Sequence, residues 1–160
     1  RVSRGLGDVY KRQGQVDAIA GVATGAIPQG ALVADALNLP FVYVRSTPKD
    51  HGLENLIEGE LRPGMKVVVV EDLISTGGSS LKAVEAIRRD GCEVIGMVAA
   101  YTYGFPVAEK AFKDAKVPLV TLTNYEAVME VALRTGYIEE EDVETLNEWR
   151  KDPAHWESGK

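Results

Sequence analysis

The chain of 160 residues has one cysteine, Cys92, which excludes an internal disulfide. A reactive thiol needs a histidine or a positive field close by. The immediate neighbours of Cys92 supply neither, so a small core residue at the start of a strand is expected. Long hydrophobic runs are also lacking. No stretch approaches the roughly 18–20 apolar residues that a helical membrane span requires. No signal-peptide pattern opens the chain, so no membrane partner is expected and the default location is the cytoplasm. Positive charge is scarce: 18 Lys and Arg face 24 Asp and Glu, a formal net charge of −6. That argues against nucleic acid as a partner, because non-specific binding to a phosphate backbone depends on a basic face. It also means that a polyphosphate ligand must be met by a few cations gathered in one place.

Internal repeats and low-complexity tracts are absent. With 45% apolar and 26% charged residues, the composition is that of a soluble globular protein of one domain with one sizeable core. Residues 1–13 (RVSRGLGDVYKRQ) carry four basic groups and no periodicity. They read as a leader that is foreign to the fold or disordered, with residues 14–160 as the core domain.

From Val16 the pattern alternates. Val16–Gly21 reads as a short buried strand. Pro28–Leu37 reads as a helix, with Pro28 in its first turn and Asn38 and Pro40 as its stop. Phe41–Val44 is β-rich. Lys66–Glu71, with four consecutive valines, predicts a strand buried on both faces, as in a parallel sheet. A helix follows over Ser79–Asp90, with Leu81, Val84 and Ile87 on one face, Arg88 and Arg89 in the last turn and Gly91 just beyond. Strands Val94–Ala100 and Val117–Thr121 enclose an amphipathic helix, Val107–Ala115. The spacing of Thr123 and Glu126 is that of a capping box and predicts a helix from Thr123 to Arg134. A last helix, Glu139–Arg150, is acidic at its start and basic at its end. The alternation predicts an α/β fold: a mostly parallel twisted sheet flanked by helices, with right-handed crossovers.

Arg45–Gly64 (RSTPKDHGLENLIEGELRPG) breaks this rhythm. Connections that long are usually functional or mobile, and Leu53–Leu61 has room for weak structure of its own. Near the end of the chain, His155 and Trp156 read as surface or docking residues rather than ligands. Tyr101 and Tyr103 at a strand end read as packing in preference to a base pocket.

The most informative stretch is Val67–Ser80, VVVVEDLISTGGSS. A buried strand ends in two acids, passes through a Ser/Thr/Gly turn and enters a helix. Parallel sheets place ligands at the carboxyl ends of their strands. A helix start offers unpaired N–H groups and positive partial charge. Gly77 and Gly78 let the backbone approach an anion closely, and Ser75, Thr76, Ser79 and Ser80 can add hydroxyl donors. Together these form a phosphate site. It is not a Walker A loop, which needs a Lys after its second glycine, and G-x-G-x-x-G is also missing. Glu71 and Asp72 lie before the turn, where carboxylates can accept hydrogen bonds from sugar hydroxyls. One phosphate followed by a diol is the shape of a ribose 5-phosphate. The bland reading, acids that cap a helix and glycines that make a turn, accounts less well for two adjacent acids ending a valine strand.

EDLISTGGS resembles the phosphoribosyl-pyrophosphate motif of type I phosphoribosyltransferases. The resemblance implies that Glu71 and Asp72 contact the ribose hydroxyls and that Leu73, Ile74, Ser75, Thr76, Gly77, Gly78 and Ser79 bind the 5′-phosphate. The pattern of Arg45, Lys49 and His51, followed by a glycine, resembles the catalytic loop of the orotate phosphoribosyltransferases. The alternative for such a cluster is a solvated charged loop. The resemblance implies a homodimer in which the Arg45–Gly64 loop is shared across subunits, with Arg45, Lys49 and His51 on the pyrophosphate. It further implies Lys49 and Asp72 as catalytic residues, and Mg²⁺ held mainly by pyrophosphate with no direct protein ligand. Val22–Pro28 resembles the family's first loop, whose contacts come from the backbone at Gly25 and Ala26, and Ser75 matches a position on orotate.

The similarity covers roughly Val16 to Trp149, with departures. Ser46 stands where some relatives have a second lysine, and Thr24-Gly25 replaces a Tyr-Lys pair. No arginine for the orotate carboxylate is evident near Tyr101–Tyr103. The N-terminal hood of the family is not recognisable in residues 1–13. The implied activity is transfer of phosphoribosyl from phosphoribosyl pyrophosphate to orotate, giving orotidine 5′-monophosphate and pyrophosphate. A phosphoribosyltransferase for a purine base, or a non-catalytic phosphoribosyl-pyrophosphate-binding regulator, stays open at this point.

Overall fold

The apolar run after residue 15 forms the centre of a sheet. In the computed structural model, which describes residues 16–45 and 56–156, strand β1 (Ala18–Val22) is buried at all five positions. It is flanked on both sides, pairing in parallel with β2 (Phe41–Val44) and with β4 (Lys66–Ile74). A two-residue strand, β3 (Ile57–Glu58), runs antiparallel to β2. On the other side, β5 (Glu93–Thr102) and β6 (Leu119–Asn124) continue the parallel pairing. The order across the sheet is β3-β2-β1-β4-β5-β6.

Alternation along each strand divides the core into two layers. Ile19, Val68, Val70 and Val98 point to one face and pack with Ala34 of helix α1 (Ile27–Leu37). Ala20, Val67, Val69 and Met97 point to the other face. There they meet Val84 and Ile87 of α2 (Gly78–Arg89) and Phe112 of α3 (Pro106–Asp114). Helices on both faces explain why the valines of β4 are apolar without interruption. This is the expected α/β architecture.

Local signals set the element ends. Asn38 closes α1 in the left-handed conformation, φ 52° and ψ 47°, which asparagine tolerates better than most residues. Gly91 follows α2 at φ 82°. Cys92 is buried ahead of β5, as expected, and its thiol donates to the Arg62 carbonyl at 3.3 Å. Burial pushes that thiol up from its ordinary pKa, with help from the Asp90 charge.

Two expectations need correction. β4 does not stop at Glu71 but continues through Leu73 and Ile74, which pair with Tyr101 and Thr102 of β5; backbone pairing outlasts the apolar run. Thr123 does not start a helix, because β6 holds its backbone as far as Asn124, where it pairs with Thr102. Within Leu53–Leu61 the two-residue edge strand β3 is the weak structure for which that stretch had room.

The described residues up to Asn124 form one compact unit and those from Tyr125 a second. The second holds α4 (Tyr125–Arg134), α5 (Glu140–Lys151) and a 3₁₀ turn at Pro153–His155. The Tyr125 hydroxyl donates to the Leu146 carbonyl at 3.0 Å, and its ring stacks near Trp149. His155 is exposed and sits 2.9 Å from Asp152 Oδ2, a surface pair. No helix among the described residues is long and apolar enough to cross a membrane.

Candidate active site

The strand order creates a switch point. From β1 the chain passes to β2 on one side, whereas β4 leads to β5 and β6 on the other. The carboxyl ends of β1 and β4 therefore border a crevice whose connections diverge, the usual ligand position in open α/β sheets. β1 leaves it through residues 23–26, where the Ala23–Thr24 peptide is cis and the Ala26 N–H returns to the Val22 carbonyl at 3.1 Å. β4 leaves it through residues 75–77.

Asp72 joins these two loops. Its carboxylate lies so close to Gly25 that a Cβ added there would come within 1.8 Å of Oδ2. Oδ1 accepts the Leu73 N–H at 2.7 Å. The side chain is half-buried, with its charge beside the crevice.

Glu71 stands differently from the expected pair of equivalent acids. It is 5% exposed, and both of its oxygens are engaged within the protein. Oε2 accepts the Ser80 hydroxyl at 2.7 Å, and Oε1 accepts the Asp72 N–H at 3.0 Å. Burial lifts its carboxyl from the ordinary 4.5 to about 7; the Ser80 hydrogen bond opposes that rise, and the Asp72 side chain adds to it. Ser80, read from sequence as a possible phosphate donor, is 1% exposed and spends its hydroxyl on Glu71.

The turn itself has the expected form. Gly77 is the N-cap of α2 at φ 83°, in the left-handed region, and a Cβ there would meet Phe112 Cε2 at 2.8 Å. No side chain caps this helix end, so its first-turn amides keep the unpaired hydrogens of a helix start. Thr76, Gly78 and Ser79 are exposed and Ser75 is half-buried. Leu73 is 40% exposed, whereas the Ile74 side chain is fully inside the core, leaving only its backbone near the crevice.

Arg45 ends β2. Its N–H donates to the Leu56 carbonyl at 2.8 Å, and its guanidinium pairs with Glu58 at 3.4 Å. A cavity of about 520 Å³ brings it together with the α2 start: Val22, Arg45, Gly78, Ser79, Lys82 and Arg89 all line it. Lys82 and Arg89 were not singled out from sequence. They resemble any exposed helix cations, and only the fold, which sets α2 across this cavity from the ends of β1 and β2, gathers them there. Lys49 and His51 lie outside the described residues. Tyr101 meets Tyr103 edge-on at 5.1 Å, and Tyr103 stacks on Phe105 at 5.3 Å, in keeping with the packing reading. Among the described residues, no group of three or more His, Cys, Asp or Glu is placed to hold a metal ion.

Comparison with known proteins places this geometry. A family model described as a phosphoribosyl transferase domain matches residues 2–134. An orotate phosphoribosyltransferase of Bacteroides fragilis is 94% identical over 152 residues, covering 95% of this chain and 72% of that protein. Among solved structures, an orotate phosphoribosyltransferase from Aeropyrum pernix superposes with TM-score 0.66 at 29% identity, covering 81% of this chain and 69% of that one. The UMP synthase of Leishmania donovani superposes with TM-score 0.71 at 25% identity, covering 88% of this chain and 30% of that one.

Proposed function

This chain belongs to the orotate phosphoribosyltransferase family, and from that premise we infer that it moves the phosphoribosyl group of phosphoribosyl pyrophosphate onto orotate. An orotate ring nitrogen bonds to the anomeric carbon as the bond from that carbon to pyrophosphate breaks. The products are orotidine 5′-monophosphate and pyrophosphate. Positive charge grows on the sugar and negative charge on the leaving group, so the protein's task is positioning and electrostatics rather than nucleophilic attack.

The observation that carries this reading is the meeting of Asp72 and Gly25 at the switch point, one turn from the uncapped start of α2. In this reading the amides of residues 75–79 take the 5′-phosphate, Asp72 takes the ribose hydroxyls, and Ser75 faces orotate. Arg45, Lys49 and His51 act on the pyrophosphate, in a homodimer whose Arg45–Gly64 loop serves the neighbouring site. Mg²⁺ would be held mainly by the pyrophosphate oxygens, where it would neutralise leaving-group charge. With small polar substrates, the cytoplasm is the proposed location.

The test is release of pyrophosphate from phosphoribosyl pyrophosphate with orotate or adenine as acceptor. Release with orotate supports the assignment; release with adenine alone, or with neither base, overturns it.

A further inference from the structure

Ser80 lies in the first turn of α2 and is 1% exposed. Serine is an indifferent helix former, and a hydroxyl is costly to bury unless it is bonded. Its bond runs back across the phosphate turn to Glu71 Oε2, at 2.7 Å. The other oxygen of that carboxylate takes the Asp72 N–H. No buried side-chain polar atom among the described residues lacks a partner. The Ser80–Glu71 bond thus closes a ring that contains the whole turn, from the end of β4 to the first turn of α2. On one side of this ring stands Asp72, against Gly25.

We propose that Ser80 is a positioning residue for the phosphoribosyl site: by holding the Glu71 carboxylate it fixes where Asp72 and the first-turn amides of α2 stand. It acts on ligand only through Glu71. The inference rests on the phosphoribosyl reading above. The charged group acting on Glu71 is its chain neighbour Asp72; from α2 the contact is the neutral Ser80 hydroxyl. Loss of that hydroxyl removes the one side-chain bond favouring the ionised acid, so Glu71 must then titrate higher.

The experiment measures ribose 5-phosphate affinity by calorimetry at pH 8 for the 160-residue chain, Ser80→Ala, Glu71→Met and the double variant. Glu71 is followed by carbon NMR titration without ligand. Ser80→Ala is expected to weaken binding about tenfold, the scale of one charge-assisted hydrogen bond, and to raise the Glu71 midpoint. In the Glu71→Met background, where no acceptor is left for the hydroxyl, the same change should cost less than about threefold, because acting through one partner is non-additive. Ser80→Thr keeps the hydroxyl and Ser80→Val keeps the shape without it, so Thr should bind better than Val even if the alanine variant folds poorly. An unmoved Glu71 midpoint, equal binding by Thr and Val, or a full loss in the Glu71→Met background overturns the proposal. Absence of any ribose 5-phosphate binding by the unsubstituted chain overturns the phosphoribosyl reading itself, and this proposal with it.

Discussion

Gly25 and Asp72 touch across the crevice between β1 and β4: a methyl group on Gly25 would fall 1.8 Å from Asp72 Oδ2 and 2.6 Å from its Cγ. Gly25 is exposed and carries no left-handed strain, so space alone demands the glycine. Gly25→Ala must displace the Asp72 carboxylate, which can rotate toward solvent at little cost in stability. We predict a loss of ribose 5-phosphate affinity of tenfold or more with the melting temperature within about 3 °C of the parent. Calorimetry and a thermal melt measure the two, and unchanged affinity would refute the role given to this contact.

Asp72→Asn keeps the size of the side chain and removes its charge. Its acceptor for the Leu73 N–H survives, so the turn should hold its form. Charge-assisted bonds to ribose hydroxyls are roughly twice as strong as neutral ones. Binding of phosphoribosyl pyrophosphate should weaken about tenfold, whereas inorganic phosphate, which lacks the diol, should bind as before. Equal weakening of both ligands would mean that the substitution disturbs the phosphate turn and not a ribose contact.

Glu71 makes stability depend on pH in a definite direction. Its carboxyl is raised by burial from the ordinary 4.5 to about 7. Below pH 4.5 both folded and unfolded chains hold the proton, and no penalty arises. Between about 4.5 and 7 the folded chain binds more protons, so stability falls as pH rises; above about 7 the penalty is constant, on the order of 3 kcal/mol. Glu71→Gln removes this limb. Urea denaturation from pH 4.5 to 8 should show a smaller fall for the glutamine variant, and parallel curves would contradict the assignment.

Gly77 faces two demands at once, φ 83° and Phe112 Cε2 at 2.8 Å from any Cβ. Gly77→Ala combines left-handed strain with overpacking, about 2–4 kcal/mol of destabilisation. The denaturant midpoint reports it; a change within about 0.5 kcal/mol would mean the turn relaxes freely.

Lys49→Ala tests the leaving-group role proposed for the Arg45–Gly64 loop. Turnover should fall far more than affinity for phosphoribosyl pyrophosphate, because charge on the departing group grows only in the transition state. Steady-state kinetics with orotate separate the two, and unchanged turnover would refute the role.

Much of this was legible in residue order. The valines of β4 announce a strand covered on both faces, and the glycines after Thr76 announce the start of a helix. Phe41–Val44 matches β2 at both ends because its burial alternates with Pro40 before it. Other features depend on chain-distant packing. Nothing in the sequence shows that Ser80 bends back to bury Glu71, so the two acids look equivalent when they are not. The capping-box spacing at Thr123 is genuine, yet pairing with β5 outweighs it. Lys82 and Arg89 become site cations only once the fold sets α2 across that cavity from the ends of β1 and β2.

The central claim is that the crevice between β1 and β4 receives the phosphate of a ribose 5-phosphate at the start of α2. Backbone amide NMR during a ribose 5-phosphate titration tests it most directly. The largest shifts are expected at Thr76, Gly77, Gly78 and Ser79, with Gly25 moving alongside Asp72. Shifts centred instead on the separate cavity of about 390 Å³ beside Phe105 and Phe112, with residues 76–79 unmoved, would contradict it.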